Sequence, residues 1–206
     1  MLKPTQTLPD DYKRVATLDL SKDLRLAIAL NLLGIVLFFG CLLFFLWLTA
    51  VLRQQVQSAG ELTVRLDASN SLLVLVGMVG LIFASIVLHE LVHALFFWLF
   101  TRQRAVFGFK GLYAFAAAPR WYIPRNQHLV ITVAPLLLIS LLGIGLIPLV
   151  AEKWLPPLLL ILISNAAGAI GDIVTLTWLL SKPASAYIND YGDGFHLYLA
   201  NLTQQV

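Results

Sequence analysis

Residues 72–100 read LLVLVGMVGLIFASIVLHELVHALFFWLF. At 1.5 Å per residue this run exceeds the roughly 30 Å hydrocarbon core of a bilayer, so it predicts a membrane-spanning helix. Its ionisable groups all fall in one stretch, His89-Glu90-Leu91-Val92-His93. Residues four apart on a helix sit one turn above each other, about 40° apart around the axis. Two imidazoles placed this way can bind one zinc ion, and the intervening glutamate can act as base on a water. Depth sharpens the reading. A charged residue at a helix centre costs roughly 2.5–3.5 kcal/mol of insertion even on the lenient scale. Groups that costly call for a partner, and a metal ion is the obvious one.

Composition agrees with a membrane setting. The 206-residue chain is 59% hydrophobic and 12% charged, with a mean hydropathy of +0.84. Soluble domains carry about 25% charged residues. The length leaves room for one membrane domain and no sizeable soluble one. The single cysteine, Cys41, lies mid-span and reads as packing, which excludes a disulfide framework and a cysteine-based metal site. The net charge of +3 comes from basic residues flanking apolar runs. It bears on membrane orientation and argues against nucleic-acid binding. No apolar stretch precedes Leu26, so no cleavable signal peptide is expected.

Outward from the motif, Leu26 to Leu52 holds no charged residue and predicts a first span, bracketed by Arg25 and Arg53. The third span is expected over about 129–150, kinked at Pro135 and thinned at Gly143 and Gly145. The fourth is expected over about 155–180, with Asn165, Gly168, Gly171 and Asp172 inside it. The very short turn at 151–154 makes spans three and four adjacent and antiparallel. Gly77, Gly80, Ala84 and Ser85 offer small faces for helix packing.

Between the spans, alternation suggests short strands at Val15–Asp19 and at Leu62, Val64 and Leu66. Residues 101–127 mix aromatic and basic side chains and read as an interfacial hairpin, broken at Gly108 or Gly111. Two apolar-rich runs around Gly192-Asp193-Gly194 read as a second hairpin. The expected fold is therefore all-α, with four transmembrane helices (about 26–52, 72–100, 129–150 and 155–180) and short cytoplasmic or interfacial β-hairpins. Residues 1–206 would form one membrane-embedded domain.

Eleven of the fourteen Lys/Arg residues fall before the first span, between spans two and three, or after span four. The positive-inside rule then puts both termini in the cytoplasm, in a multi-pass protein of the cell membrane. The second span runs outside to inside, and its motif lies near the cytoplasmic end.

Two histidines leave a zinc site one protein ligand short, the fourth position being water. Asp172, His128, His196 and Asp190 are the candidates, and depth separates them. His93 is seven residues from Phe100, and Asp172 is eight residues from Leu180. At 1.5 Å per residue these are about 10 and 12 Å from the same boundary. His128 and His196 fall at or beyond the interface, as an interfacial side chain and a surface residue of the tail. Asp172 is the only ionisable residue of its span. Asn165 lies two turns before Asp172 on nearly the same face. It could donate to a developing oxyanion, or serve as glue between helices.

These residues resemble the site-2 protease class of intramembrane zinc metalloproteases. That class carries His-Glu-x-x-His on one span and Asn-x-x-Pro-x4-Asp-Gly on a later one. Here His89–His93 matches the first motif fully. Asn165 precedes Asp172 by seven residues and not eight, Gly168 stands where proline would be, and the order is Gly171-Asp172. The chain is still more similar to a compact family of four-span membrane zincin peptidases, through Leu8-Pro9-Asp10-Asp11-Tyr12, the first motif, 165–172 and the tail. The resemblance implies zinc-dependent proteolysis of membrane-associated proteins.

The combined expectation is one zinc per chain, held by His89, His93 and Asp172, with Glu90 as catalytic base and Asn165 as a possible second catalytic group. The expected partners are a membrane protein or peptide substrate and the lipid bilayer, with no nucleic acid and no oligomeric state that the sequence specifies. An exposed edge strand within 101–118 would hold an extended substrate by β-addition. The rival readings are a non-catalytic metal carrier or transporter, whose ion pathway would also use intramembrane carboxylates and imidazoles, and an inactive protease-like adaptor.

Overall fold

A computed structural model describes residues 2–19, 24–54, 71–110, 113–192 and 194–201. Strand β1 (Tyr12–Asp19) leads into helix α1 (Leu24–Gln54), and α2 (Ser71–Thr101) follows. Then come β2 (Val106–Lys110), β3 (Tyr113–Ala117), β4 (Tyr122–Pro124) and α3 (Arg125–Leu146). A short 3-10 turn at Glu152–Trp154 precedes α4 (Leu155–Gly168) and α5 (Ile170–Leu180), and β5 (Tyr187–Asp190) and β6 (Gly194–Ala200) close the chain. The strand expected around residues 62–66 lies outside the described residues.

The fold is mostly helical with small antiparallel sheets. Among the described residues, α1, α2 and α3 are each long and apolar enough to cross a membrane. Taken as one bent span, α4 and α5 make a fourth. Faces of α1 and α2 are apolar yet exposed, including Val36 and Leu43 on α1 and Leu72, Leu73 and Val79 on α2.

Two boundaries differ from expectation. The third helix starts at Arg125 and ends at Leu146, not at 129 and 150. Its first turn, Arg125-Asn-Gln-His, is polar, so the apolar run marks less than the helix does. The predicted fourth helix is interrupted at Ala169, whose N–H reaches back to the Asn165 carbonyl over 3.1 Å. No proline causes this break; the local sequence is Ala166-Ala-Gly-Ala-Ile-Gly171, which packs few side chains.

The chain divides into two compact units. The first comprises Met1–Asn31, Glu90–Pro135 and Ile170–Val206. Its sheet has the order β1-β6-β5-β4, antiparallel throughout, so the strand before the first helix pairs with the strand after the last. A bulge at Val15, between Arg14 and Ala16, leaves that side chain exposed. Thr5 exchanges two backbone hydrogen bonds with Tyr122, 3.0 and 2.8 Å, which occupies the far edge strand β4. The sheet packs Ala186, Ile188 and Leu197 against Leu179 of α5, with Leu129 of α3 beside them. Arg125 caps the end of α5, its Nε and Nη2 donating to the carbonyls of Leu179 and Leu180 at 2.9 and 3.0 Å.

The hairpin β2–β3 forms a separate two-stranded sheet. Residues 111–112, between its strands, lie outside the described residues, and so does the expected break at Gly111, while Gly108 lies within β2 opposite Phe115. A Cβ there would stand 2.4 Å from the Phe115 ring, so the glycine makes room for that ring and does not break the strand. Beyond β3, Ala118 joins Phe97 of α2, Ile123 of β4 and Ile131 of α3 in a second core cluster.

The second unit comprises Leu32–His89 and Leu136–Ala169. Here α3 and α4 approach closely: a Cβ on Gly143 would lie 2.3 Å from Leu162 Cδ2, and Leu162 is fully buried. Arg53 donates from Nε and Nη2 to the Ile147 carbonyl, 3.2 Å each, and from Nη2 to Val150, capping the end of α3. The small faces at Gly77 and Gly80 do not serve packing as expected, since nothing lies within 4 Å of a Cβ at either. Ser85 does, and its hydroxyl donates to the Ile161 carbonyl over 3.1 Å.

Candidate metal centre

Every fourth residue of α2 from Ser85 onward is buried: Ser85, His89, His93, Phe97 and Thr101. Their neighbours Ile86, Leu88, Leu91, Leu95 and Trp98 are exposed. The stripe that faces protein is therefore the polar one. Spacing of four puts these side chains on one slowly drifting face, and each polar member finds a partner there.

Ser85 meets Ile161 of α4, and one turn further on His89 Nδ1 meets Asn165 Oδ1 at 3.0 Å. Both pairs are separated by 76 residues. An equal step along both chains in the same direction means that α2 and α4 run parallel and in register. One more turn along α2, His93 Nδ1 lies 3.0 Å from the Ile131 carbonyl of α3. A carbonyl oxygen only accepts, so His93 carries a proton on Nδ1, and Nε2 is the nitrogen left to face Asp172 or a metal ion. The amide oxygen of Asn165 imposes the same tautomer on His89.

His93 Nε2 is 3.4 Å from Asp172 Oδ1, and Asp172 stands in the first turn of α5. His89, His93 and Asp172 each offer one ligand atom, and these atoms lie within 4.8 Å of one another. Two donors at about 2.0–2.1 Å from one zinc ion, at the tetrahedral angle, are about 3.4 Å apart. The observed His93–Asp172 edge has that length. The donor set is borderline in softness and carries one negative charge, and each imidazole gives its other N–H to an oxygen acceptor, the arrangement that orients metal-bound histidines. The residues present fit a zinc ion.

A family model described as "Putative zincin peptidase" matches residues 82–187, just over half of the chain. The chain belongs to this zincin peptidase family. Zinc and metallopeptidase chemistry follow from membership at family level. No curated protein and no solved structure matches the chain.

Within this zincin peptidase the other sequence candidates take distinct places. Glu90 is half-buried, one residue after His89 on α2. Asn165 is 2% exposed and reaches His89 through its oxygen. His128 is not the interfacial side chain expected from its place before the third apolar run. It is 2% exposed, because the helix begins earlier and turns this one position of its first turn inward, against Phe97 and Phe195. Its Nε2 faces Asp190 Oδ2 at 3.6 Å, and its ring packs edge-on to Phe97 and Phe195. His196 Nδ1 lies 3.1 Å from the Thr17 hydroxyl. Among the described residues, neither histidine nor Asp190 enters the cluster.

The sequence reading missed Ile131, whose contribution is a backbone atom. A signal was nevertheless present. In a helix the carbonyl of residue 131 accepts from the N–H of residue 135, and residue 135 is proline. Pro135 leaves Ile131 without its helical donor.

Proposed function

We propose that this zincin peptidase is a multi-pass membrane endopeptidase, of the site-2 protease kind, that cleaves membrane-spanning or membrane-associated polypeptides. The observation that carries the reading is the meeting of His93 with Asp172, on the buried polar stripe of a helix whose other faces are apolar and exposed. Exposed apolar area on that scale needs an apolar solvent. Three cation–aromatic pairs support the boundaries of such a layer: Arg102 over Trp98 at the end of α2, Lys182 over Trp178 at the end of α5, and Lys153 over Trp154 before α4. Together with the Lys/Arg asymmetry of the sequence, these pairs support a topology with both termini in the cytoplasm and the site near the cytoplasmic boundary.

In this reading His89, His93 and Asp172 hold one zinc ion per chain. Bound there, zinc supplies Lewis acidity toward a water and a scissile carbonyl. Glu90 projects about 100° around the helix from His89, beside the ligand stripe and off it. Its carboxylate takes the proton of the attacking water and returns it to the leaving amine. Asp172 contributes charge, and the acceptors behind the two imidazoles keep their Nε2 lone pairs directed forward.

A peptide bond inside a helix is shielded by its own hydrogen bonds, so the substrate must be held extended. The hairpin β2–β3 offers an edge for that purpose, with Val106, Phe107 and Phe109 exposed along β2. Its far end is tied to the site through the cluster of Ala118, Phe97 and Ile131, one turn beyond His93 and at the residue that holds it.

The test is cleavage of a transmembrane peptide by purified protein in proteoliposomes, comparing the parent with Glu90→Gln at matched zinc content. The amide cannot accept the proton, so hydrolysis falls by about 10²–10⁴-fold, the range for general-base catalysis. A Gln variant that cleaves within a few-fold of the parent removes Glu90 as the base. Zinc-loaded parent protein that cleaves no membrane peptide, yet moves zinc across the vesicle, favours the carrier.

A further inference from the structure

The two histidines of the cluster are held from behind by acceptors of different origin. His89 Nδ1 faces the side-chain oxygen of Asn165, which is itself 2% exposed, and His93 Nδ1 faces the main-chain oxygen of Ile131. A helical carbonyl ordinarily belongs to the N–H four residues on. At Ile131 that position is Pro135, inside the unbroken helix α3 and among the fully buried side chains. Proline has no N–H and its ring pushes the carbonyl of residue i−4 off the helix axis. The feature that costs α3 a hydrogen bond is thus the one that supplies an acceptor to His93.

We propose that Asn165 and Pro135 are positioning residues of the metal centre, together locking both imidazoles as Nδ1–H tautomers: Asn165 by accepting through its amide oxygen, Pro135 by releasing the Ile131 carbonyl. This rests on the reading of His89 and His93 as zinc ligands. It gives Asn165 a different task from donating to an oxyanion, since the oxygen and not the amide N–H does the work. The two roles separate chemically. Aspartate keeps an acceptor oxygen and has no N–H to give, whereas alanine loses both.

The experiment measures zinc affinity of purified, detergent-solubilised protein by competition with a chelator of known affinity. The variants are Asn165→Ala, Asn165→Asp and Pro135→Ala. Removing an acceptor behind a ligating histidine costs about 10–100-fold in metal affinity, and Asn165→Ala is expected in that range. Asn165→Asp stays within a few-fold of the parent. Pro135→Ala restores a competing N–H to the Ile131 carbonyl and weakens zinc by about 3- to 10-fold. Parent-like affinity in Asn165→Ala overturns the role of Asn165, as does an aspartate variant as weak as alanine. Parent-like affinity in Pro135→Ala overturns that of Pro135.

A second measurement needs no variant. Nitrogen-15 NMR of histidine-labelled, zinc-loaded parent protein reads the tautomers directly. Two rings protonated at Nδ1 and coordinated through Nε2 support the proposal, and coordination through Nδ1 at either ring overturns it. A parent chain that binds no zinc at all is a different failure: it removes the metal-ligand reading itself.

Discussion

Replacing Asp172 with alanine asks how much of the metal site rests on α5. Four-ligand structural zinc sites bind with roughly 10–16 kcal/mol, or about 3–4 kcal/mol for each ligand. At about 1.4 kcal/mol per tenfold, losing one ligand costs about 10²–10³ in affinity. The geometry decides where in that range the effect falls. Without metal, Asp172 Oδ1 and His93 Nε2 already sit 3.4 Å apart, and a proton shared between them competes with zinc for the same two atoms. Alanine removes the competitor along with the ligand, so the expected loss lies near the lower end, about 100-fold. Asp172→Asn keeps an oxygen but no charge and should fall between alanine and the parent. The assay is chelator competition on metal-stripped protein, with helical circular dichroism to confirm that each variant is folded. His196→Ala serves as control, because His196 pairs with Thr17 and stands outside the cluster. Folded Asp172→Ala that binds zinc within about three-fold of the parent would refute the argument, as would an equal loss in the control.

Two further outcomes concern the scaffold. Gly143→Ala places a Cβ 2.3 Å from Leu162 Cδ2 in a fully buried contact, and should cost about 1–3 kcal/mol of stability in chemical unfolding. Leu162→Ala should restore much of that loss in the double variant, so additive single effects would rule out the α3–α4 clash. For topology, Gln6→Cys and Asn201→Cys in a Cys41→Ala background should react in intact cells only with membrane-permeant maleimide, and labelling by an impermeant reagent would reverse the proposed orientation.

Several parts of this architecture were legible in the sequence because one residue type carries one physical demand. Long apolar runs marked the courses of α1 and α2. Alternation gave β1, and a Gly-Asp-Gly turn gave the hairpin of β5 and β6. Matching the depth of His93 and Asp172 by counting residues to the helix ends anticipated a contact between side chains 79 positions apart, and the two do stand together. The same counting failed for His128, because it measured from the apolar run, and α3 begins four residues before that run. A polar residue in a first turn can be buried by protein as readily as exposed to water when, like His128, it has partners such as Asp190 and Phe97.

Other features had no local signature. The pairing of β1 with β6 joins the two ends of the chain, and strand alternation says nothing about which strand lies alongside. Glycines were the least reliable guide. Gly143 marks a true close approach, while Gly77, Gly80, Gly168 and Gly171 have nothing within 4 Å of a Cβ. A missing side chain permits contact without requiring it. The break at Ala169 is likewise a consequence of several small residues together, with no single breaker to find.

The usual amphipathic logic is inverted in α2. In water, a helix buries its apolar stripe and exposes its polar one. Here Ser85, His89, His93 and Thr101 are inside while leucines, isoleucines and a tryptophan are outside. In the membrane setting proposed above, burying leucine gains little, so the faces that seek protein are those with hydrogen bonds to make. Three bonds on that stripe join α2 to its neighbours. Ser85 to Ile161 and His89 to Asn165 hold α2 against α4, and His93 to Ile131 holds it against α3. The last two also fix the orientation of the imidazoles proposed to face the metal. In the proposed metal site, the contacts that assemble the helices would therefore also aim the ligands, so that the forces that make the fold preorganise it.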